Sequence, residues 1–175
     1  MRLDALPWMG LWLAIAGLAM FLRLLPLDLS AGGWPWPDPL LVLTLAWVLR
    51  RPAHLPAALI GLVWLVEDLL TLRPPGLWAL MVLLGTEFLR RRHAMVREIG
   101  LLLEWAMVAG VLATMWLGQR LILAIVMIPR DPLDLSLIKL AGTVALYPLA
   151  VMVLQVVLRV RKPAIGEVDE LGRRL

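Results

Sequence analysis

The most regular feature of the chain is a series of long uncharged stretches separated by short polar or proline-rich breaks. The first, from about Leu6 to Leu25, carries no charge between Ala5 and Leu22. About 18 residues rise about 27 Å as a helix, close to the roughly 30 Å hydrocarbon core of a bilayer. Because only Arg2, partly offset by Asp4, precedes this stretch, we interpret it as a retained membrane helix rather than a signal peptide.

Five further stretches predict membrane helices. Their approximate bounds are Pro39–Leu49, Ala53–Leu72, Leu77–Leu89, Ile99–Ile128 and Leu135–Leu158. The stretch Pro39–Leu49 rises only about 16 Å, so it either draws Asp38 and the preceding Trp-Pro residues to membrane depth or is re-entrant. The stretch Ile99–Ile128 would rise about 45 Å, and we expect it to be strongly tilted or to leave the membrane near Arg120.

These six segments predict an all-α polytopic membrane protein. Its helices form one domain, residues 1–162, followed by a short polar tail, residues 163–175. Composition agrees, because 62% of the residues are hydrophobic and the mean hydropathy is +0.87, whereas soluble domains are about 45–50% apolar. Cysteine is absent, which excludes disulfides and thiolate chemistry.

Charge at the ends of the segments predicts the orientation of the chain. With six spans and a cytoplasmic N-terminus, twelve of the 17 basic residues fall on the cytoplasmic side, including Arg50-Arg51 and Arg90-Arg91-Arg92. The other side holds five, which are Arg23, Arg73, Arg120, Arg130 and Lys139. This is the positive-inside pattern, so we expect both termini in the cytoplasm and interpret the basic residues as topology signals rather than nucleic-acid contacts.

Asp38, which lies between Pro37 and Pro39, has two interpretations. Its carboxylate can cap the second helix by accepting a backbone N–H, while Pro39 takes the first helical position, where no donor is missed. Alternatively, the short helix draws Asp38 below the lipid headgroups, where an ionisable group is a functional candidate.

Glu67 and Asp68 are adjacent near the far end of the third segment. On a helix they point about 100° apart, so they cannot form one carboxylate pair. They lie about 21 Å along the helix axis from Ala53, near the outer boundary of the membrane, where water or Arg73 can satisfy them. The alternative is that Asp68 contacts a partner protein.

Other residues predict an intrahelical ion pair, between Glu87 and Arg90 at the cytoplasmic boundary, and contacts between helices. Glu87 lies three residues before Arg90, a spacing that places both on one helix face. Glu104 can likewise reach a cytoplasmic arginine. Small residues around Gly10 and Gly110 permit helices to pack closely.

The sequence carries no pattern typical of an enzyme or a cofactor site. His54 and His93 flank arginines and lack the spaced ligand cluster that a metal or haem needs. Tyr147-Pro148 predicts a kink that neighbouring helices relieve. Since no nucleophile elbow, P-loop, HExxH or dinucleotide fingerprint occurs, we expect no catalysis, no cofactor and no metal.

Between Trp36 and Leu80 the chain resembles a known family. Trp36-Pro37-Asp38-Pro39-Leu40-Leu41 leads into a segment ending at Arg50-Arg51-Pro52, and Asp68-Leu69 is followed by Pro75-Gly76-Leu77. Together with the length, the six predicted spans and the short basic tail, these stretches resemble the rod shape-determining protein MreD, a small bacterial inner-membrane protein. The chain departs from that pattern where Glu67 precedes Asp68 and where Pro74 precedes Pro75.

The resemblance implies a non-enzymatic component of the bacterial cell-elongation machinery. Such proteins work beside the bitopic protein MreC, the actin-like MreB, the SEDS glycosyltransferase RodA and a class B penicillin-binding protein. The chain would then help couple cytoplasmic filaments to peptidoglycan synthesis and so to cell shape. Candidate partner-binding residues in or beside the matching stretches are Trp36, Asp38, Glu67 and Asp68.

Two rival classes of function stay open. A small-molecule binder similar to the six-helix substrate-capture subunits of vitamin transporters would have the same size and number of spans. A membrane enzyme is the third possibility, although a chain with one tyrosine and two histidines offers few convergent polar groups.

Overall fold

The structure is a computed structural model and describes residues 5–25, 35–98 and 100–157. Within these residues it holds six α-helices and no strand, which confirms the all-α prediction. The helices are α1 (Leu6–Leu24), α2 (Pro39–Arg50), α3 (Ala57–Leu70), α4 (Leu77–Glu98), α5 (Leu101–Ile125) and α6 (Leu133–Met152). The connector at 26–34, the tail at 163–175 and both chain termini, for which the sequence makes predictions, lie outside the described residues.

Three helices in the described part of the chain are long and apolar enough to cross a membrane. They are α1, α5, and α6 together with the turn that extends it to Val156. The helix α2 is apolar but has only 12 residues. The helix α4 has 22 residues, but its second half carries four arginines and a histidine. The six membrane spans therefore stay a prediction.

The short helix α2 lies at the centre of the bundle. Every residue from Leu40 to Arg50 is buried, and α4 and α6 provide most of the covering surface. About 12 residues rise about 18 Å, well below the roughly 30 Å of hydrocarbon in a bilayer. A helix enclosed by protein need not match that thickness, because its neighbours face the lipid in its place.

Contacts between helix ends show that consecutive helices run in opposite directions. Asp38, before the start of α2, contacts Arg23 near the end of α1. Asp68, near the end of α3, contacts the start of α4, and Arg120, near the end of α5, contacts the start of α6. We call this end of the bundle the Asp38 end, and the opposite one, where α2 finishes, the Arg50 end.

The helix α3 begins at Ala57 and not near Ala53 as expected. Residues Pro52–His54 form a 3₁₀ turn, and Leu55 is extended. The residue before a proline is disfavoured in the helical region, so Pro56 delays the start of the helix.

The helix α4 continues past its expected end at Leu89 to Glu98. Arg90 Nε donates to Glu87 Oε1 at 2.7 Å, which confirms the predicted intrahelical pair. The same guanidinium donates to the carbonyls of Pro52 and Leu55 at 2.5 and 2.6 Å. Because these contacts satisfy the charge and arginine favours helices, the basic cluster continues the helix and does not end it.

The helix α5 passes Arg120 without a break and ends at Ile125, before the expected Ile128. Met127 adopts a positive φ of 57° there, and the Ile128 N–H donates to the Leu123 carbonyl. This left-handed residue with its backbone bond is a helix-ending motif usually built on glycine.

The helix α6 continues through Pro148 to Met152 and passes into a π-helical turn at Val153–Val157. The expected end at Leu158 lies outside the described residues. Proline has no N–H to donate to the carbonyl four residues earlier, which is that of Val144. Trp105 Nε1 of α5 donates to this carbonyl at 2.8 Å. A neighbouring helix thus supplies the hydrogen bond to the Val144 carbonyl that Pro148 cannot make, as predicted.

The glycines at close helix contacts are not the ones expected from the sequence, Gly10 and Gly110. Nothing lies within 4 Å of the Cβ position at Gly10 or Gly110, so these small residues are not at helix contacts within the chain. At Gly85 in α4, an added Cβ would lie 2.6 Å from Met115 Sδ and 3.2 Å from Val111 Cγ1 of α5. The glycine therefore permits the close approach of α4 and α5.

The substitution Gly85→Val should destabilise the bundle by about 1–3 kcal/mol, the usual cost of overpacking a close contact. Gly110→Val is the matched control, because it adds the same side chain to a helix position with open space around it. Unfolding of the purified protein in detergent measures both. Equal stability of the two variants would contradict the packing of α4 on α5.

Candidate functional site

Asp38 caps the central helix. Its backbone is extended, with φ −98° and ψ 90°, and its Oδ1 accepts a hydrogen bond from the Leu41 N–H at 3.0 Å. Pro39 takes the first helical position, and the Asp38 N–H donates to Thr143 Oγ1 of α6 at 3.1 Å. These contacts confirm the helix-capping interpretation, and they also bury the carboxyl group inside the protein.

Arg23 joins Asp38 to Glu67. Its Nη2 lies 2.6 Å from Asp38 Oδ1, and its Nη1 donates to Glu67 Oε1. One guanidinium therefore pairs with two buried carboxylates and links the end of α1 to the start of α2 and the end of α3. The prediction that Arg73 or water satisfies Glu67 is wrong in this respect, because Arg23 is the ion-pair partner and Glu67 is buried.

Asp68 organises the turn between α3 and α4. Its Oδ2 accepts hydrogen bonds from the backbone N–H groups of Gly76 and Ala79 at 3.0 and 3.1 Å. It thus caps α4 from the preceding helix, and its side chain is fully buried. Glu67 and Asp68 serve different neighbours, as their angular separation on a helix predicts. Contact of Asp68 with a partner stays a prediction.

Trp36 is the candidate that the structure leaves on the surface. It precedes the cap of α2 by two residues and is 68% exposed. The other three candidates, Asp38, Glu67 and Asp68, are buried at the Asp38 end, where they connect helix ends to one another. Among the four, Trp36 is the side chain that a second protein can reach directly.

A second polar cluster lies near the Arg50 end. Arg50 Nη1 is 2.9 Å from Glu104 Oε1 and also donates to the Ala46 carbonyl. The Tyr147 hydroxyl donates to the same carboxylate oxygen of Glu104. All three side chains are buried, so they connect α2, α5 and α6 through the interior. Glu104 therefore does reach one of the arginines expected at the cytoplasmic ends.

Arg23 and Tyr147 are the cluster members that sequence reasoning does not identify. Arg23 is expected only as a topology signal and Tyr147 only as part of a kink. A usable signal exists for Tyr147, since it is the only tyrosine of the chain and lies in an apolar helix. A phenol in such a position needs a hydrogen-bond partner, and a buried acid is the natural one.

A partly open cavity of about 120 Å³ lies beside Asp38, among α2, α4, α5 and α6. Its charged lining residues are Arg73, Arg120, Arg130, Lys139, Asp38 and Asp131. Two tryptophans, Trp78 and Trp116, also line it. Among the described residues, no three His, Cys, Asp or Glu side chains form a group that could hold a metal. The lining residues can therefore form ion pairs and donate hydrogen bonds.

His54 lies in the turn between α2 and α3 at the Arg50 end. Its ring stacks on Trp8, with centroids 5.4 Å apart and planes at 4°. Its Nδ1 accepts a hydrogen bond from Trp47 Nε1 at 3.3 Å, which requires the neutral ring. Burial first, and the positive charge of Arg51 second, lower the pKa of His54 from 6.5 to about 4.

Comparison of the chain with protein-family models, with curated proteins and with solved structures found no match.

The double substitution Arg50→Leu with Glu104→Leu should cost less stability than the two single substitutions together. Either single change leaves a buried charge without its main counter-ion, at a cost of about 3–5 kcal/mol. Replacing both removes the uncompensated charge. Unfolding free energies of the four proteins in detergent give the coupling, and strictly additive losses would show that the pair is not energetically linked.

Stability should decrease as the pH falls from 6.5 to about 4, in part through His54. In that window the unfolded chain binds a proton at His54 and the folded chain does not, so acid favours unfolding, whereas the contribution is complete above pH 6.5. His54→Gln should flatten this part of the stability profile, and His93→Gln serves as the control. An unchanged slope in His54→Gln would contradict the lowered pKa.

Proposed function

We propose that this chain is a multi-pass protein of the bacterial inner membrane that acts in cell elongation, the role implied by its resemblance to MreD. All six helices lie in the membrane, with α2 enclosed by the others and both termini in the cytoplasm. The chain is not an enzyme. It binds an MreC-like protein, together with a RodA-type glycosyltransferase and a class B penicillin-binding protein, and helps couple MreB filaments to peptidoglycan synthesis.

The distribution of charge between the two ends supports the membrane orientation. The Arg50 end holds the described basic residues Arg50, Arg51, Arg90, Arg91, Arg92 and Arg97. The Asp38 end holds Arg23, Arg73, Arg120, Arg130 and Lys139. This division requires the helices to alternate in direction, and their end contacts agree with that alternation. The side with more basic residues along the whole sequence is assigned to the cytoplasm.

One observation carries the proposal of a scaffold: the stretches that resemble MreD meet at the Asp38 end. Asp38 fixes the start of α2, and Asp68 fixes the start of α4. Trp36 remains 68% exposed beside them. A packed set of helix ends with an exposed tryptophan suits a protein interface, where tryptophan is enriched among the residues that contribute most to binding.

The cavity beside Asp38 is the feature that bears on the second candidate, a small-molecule binder similar to the substrate-capture subunits of vitamin transporters. Its volume is about 120 Å³. Pockets for drug-sized ligands measure roughly 300–1,000 Å³. We therefore place the vitamin-binding function second.

An MreC-like protein co-expressed with the tagged full-length chain should be recovered with it from bacterial membranes in mild detergent. Trp36→Ala should reduce this recovery by about tenfold or more, since loss of an interface anchor costs about 2 kcal/mol. Leu102→Ala is the matched control, because Leu102 is 72% exposed at the Arg50 end. Asp38→Asn and Asp68→Asn should weaken recovery while the bundle stays folded.

Recovery with a transporter ATPase, or with a bound vitamin, in place of the MreC-like protein would contradict the proposed function. Equal recovery of the Trp36→Ala and Leu102→Ala proteins would remove Trp36 as the contact.

A further inference from the structure

Three cations at the cavity beside Asp38 form no close ion pair among the described residues, although the charges of Asp38 and Glu67 act on Lys139 and that of Arg73 acts on Glu67. Within the described ranges, Arg73, Arg130 and Lys139 form no salt bridge or side-chain hydrogen bond. The carboxylate of Asp38, which also lines the cavity, is already paired with Arg23 at 2.6 Å. The lining holds four cations against two acids, Asp38 and Asp131, so the wall of the cavity carries a net positive charge.

Hydrogen-bond donors are also in excess at the same place. The Nε1 atoms of Trp78 and Trp116 are buried and have no acceptor among the residues that the structure describes. A buried N–H without an acceptor is destabilising. The guanidinium of Arg120 lies over the Trp116 ring, 5.3 Å from its centroid, and donates to Ser136 Oγ at 2.8 Å. Although Gln119, Asp131 and Thr143 also bring acceptor oxygens to the lining, the cations outnumber the carboxylates, so the cavity favours an anion.

We propose that the cavity binds a phosphate-bearing anion. Arg73, Arg130 and Lys139 supply the positive charge, and Trp78 and Trp116 supply further donors. A phosphate group suits this wall because it presents several acceptor oxygens and a negative charge, which arginine and lysine bind by charge-assisted hydrogen bonds. A cavity of about 120 Å³ matches a small anionic group rather than a drug-sized molecule.

Two sources share this chemistry, a phospholipid headgroup and free phosphate. An adjoining open groove of about 670 Å³ shares Arg120, Arg130 and Asp131 with the cavity. The rest of its lining is largely apolar, with Ala124, Met127, Ile128 and Leu133. This groove leaves room for the glycerol and the first part of an acyl chain. A cationic cavity that continues into an apolar groove suits a headgroup joined to an acyl chain, so the groove favours the lipid.

This inference goes beyond the proposed function, since it requires no elongation partner, and only the lipid source depends on the membrane placement. The test uses the full-length protein purified in a neutral detergent. Its melting temperature is followed during titration with dioctanoyl phosphatidylglycerol, dioctanoyl phosphatidylcholine or inorganic phosphate, and the concentration dependence gives an apparent affinity. Because no partner protein is present, failure here and failure of the elongation role are distinguishable.

The expected result is saturable stabilisation by the anionic lipid and not by phosphatidylcholine. Arg73→Gln and Lys139→Gln should each weaken the apparent affinity about tenfold, the effect of losing one charge-assisted hydrogen bond. Trp116→Phe leaves the cationic residues and an aromatic ring in place but removes the indole N–H donor, and it should weaken the apparent affinity severalfold. Arg91→Gln is the control, since Arg91 is an exposed arginine at the Arg50 end. The melting temperature without ligand checks that each variant is folded.

The outcomes also identify the source of the phosphate. Much tighter binding of phosphatidylglycerol than of inorganic phosphate assigns the site to a lipid headgroup. Equal binding of inorganic phosphate through the same residues assigns it to the free anion. The proposal is overturned if neither ligand binds saturably, if Arg73→Gln and Lys139→Gln retain full affinity, or if Arg91→Gln loses as much as they do.

Discussion

A helix in lipid has no water to satisfy exposed polar groups, and it must be long enough to match the hydrocarbon unless other protein covers it. The helix α2 is short and lies inside the bundle, and the arrangement of the chain follows from that position. It is held at both ends by ionic groups. Asp38 caps its start and is paired with Arg23, whereas Arg50, its last residue, is paired with Glu104. Since displacement along the axis would separate both pairs, they fix the position of α2 more than they add net stability.

The two ends of the bundle differ in their chemistry. At the Arg50 end, Arg50 is paired with Glu104 and Arg90 donates to two backbone carbonyls, while Arg50 Nε and Nη2 have no hydrogen-bond partner among the described residues. At the Asp38 end, Arg23 pairs with Asp38 and Glu67, four cations line the partly open cavity, and Trp36 is exposed. The unpaired atoms of Arg50 are thus enclosed by protein, whereas the cations at the Asp38 end lie at a cavity.

The sequence predicts the helices well and the contacts of their charged residues only in part. Hydrophobic runs locate all six helices, and Pro-Asp-Pro predicts the cap of α2. Both features depend only on residues that are close together in the sequence. Helix ends at Ala57 and Glu98 are missed, because they depend on a proline turn and on contacts that Arg90 makes with residues far along the chain. The partnership of Arg23 with Glu67 is missed for the same reason, since 44 positions separate them.

The enclosure of α2 has a consequence for synthesis on the ribosome. A segment of 12 residues cannot settle in lipid as soon as it emerges, because α4 and α6, which cover most of it, are made later. The bond from Asp38 to Thr143 joins positions 105 residues apart. The contacts that enclose α2 can therefore form only after α6 has been translated. In the proposed membrane placement, the first half of the protein then reaches its final arrangement only when the last helix has been made.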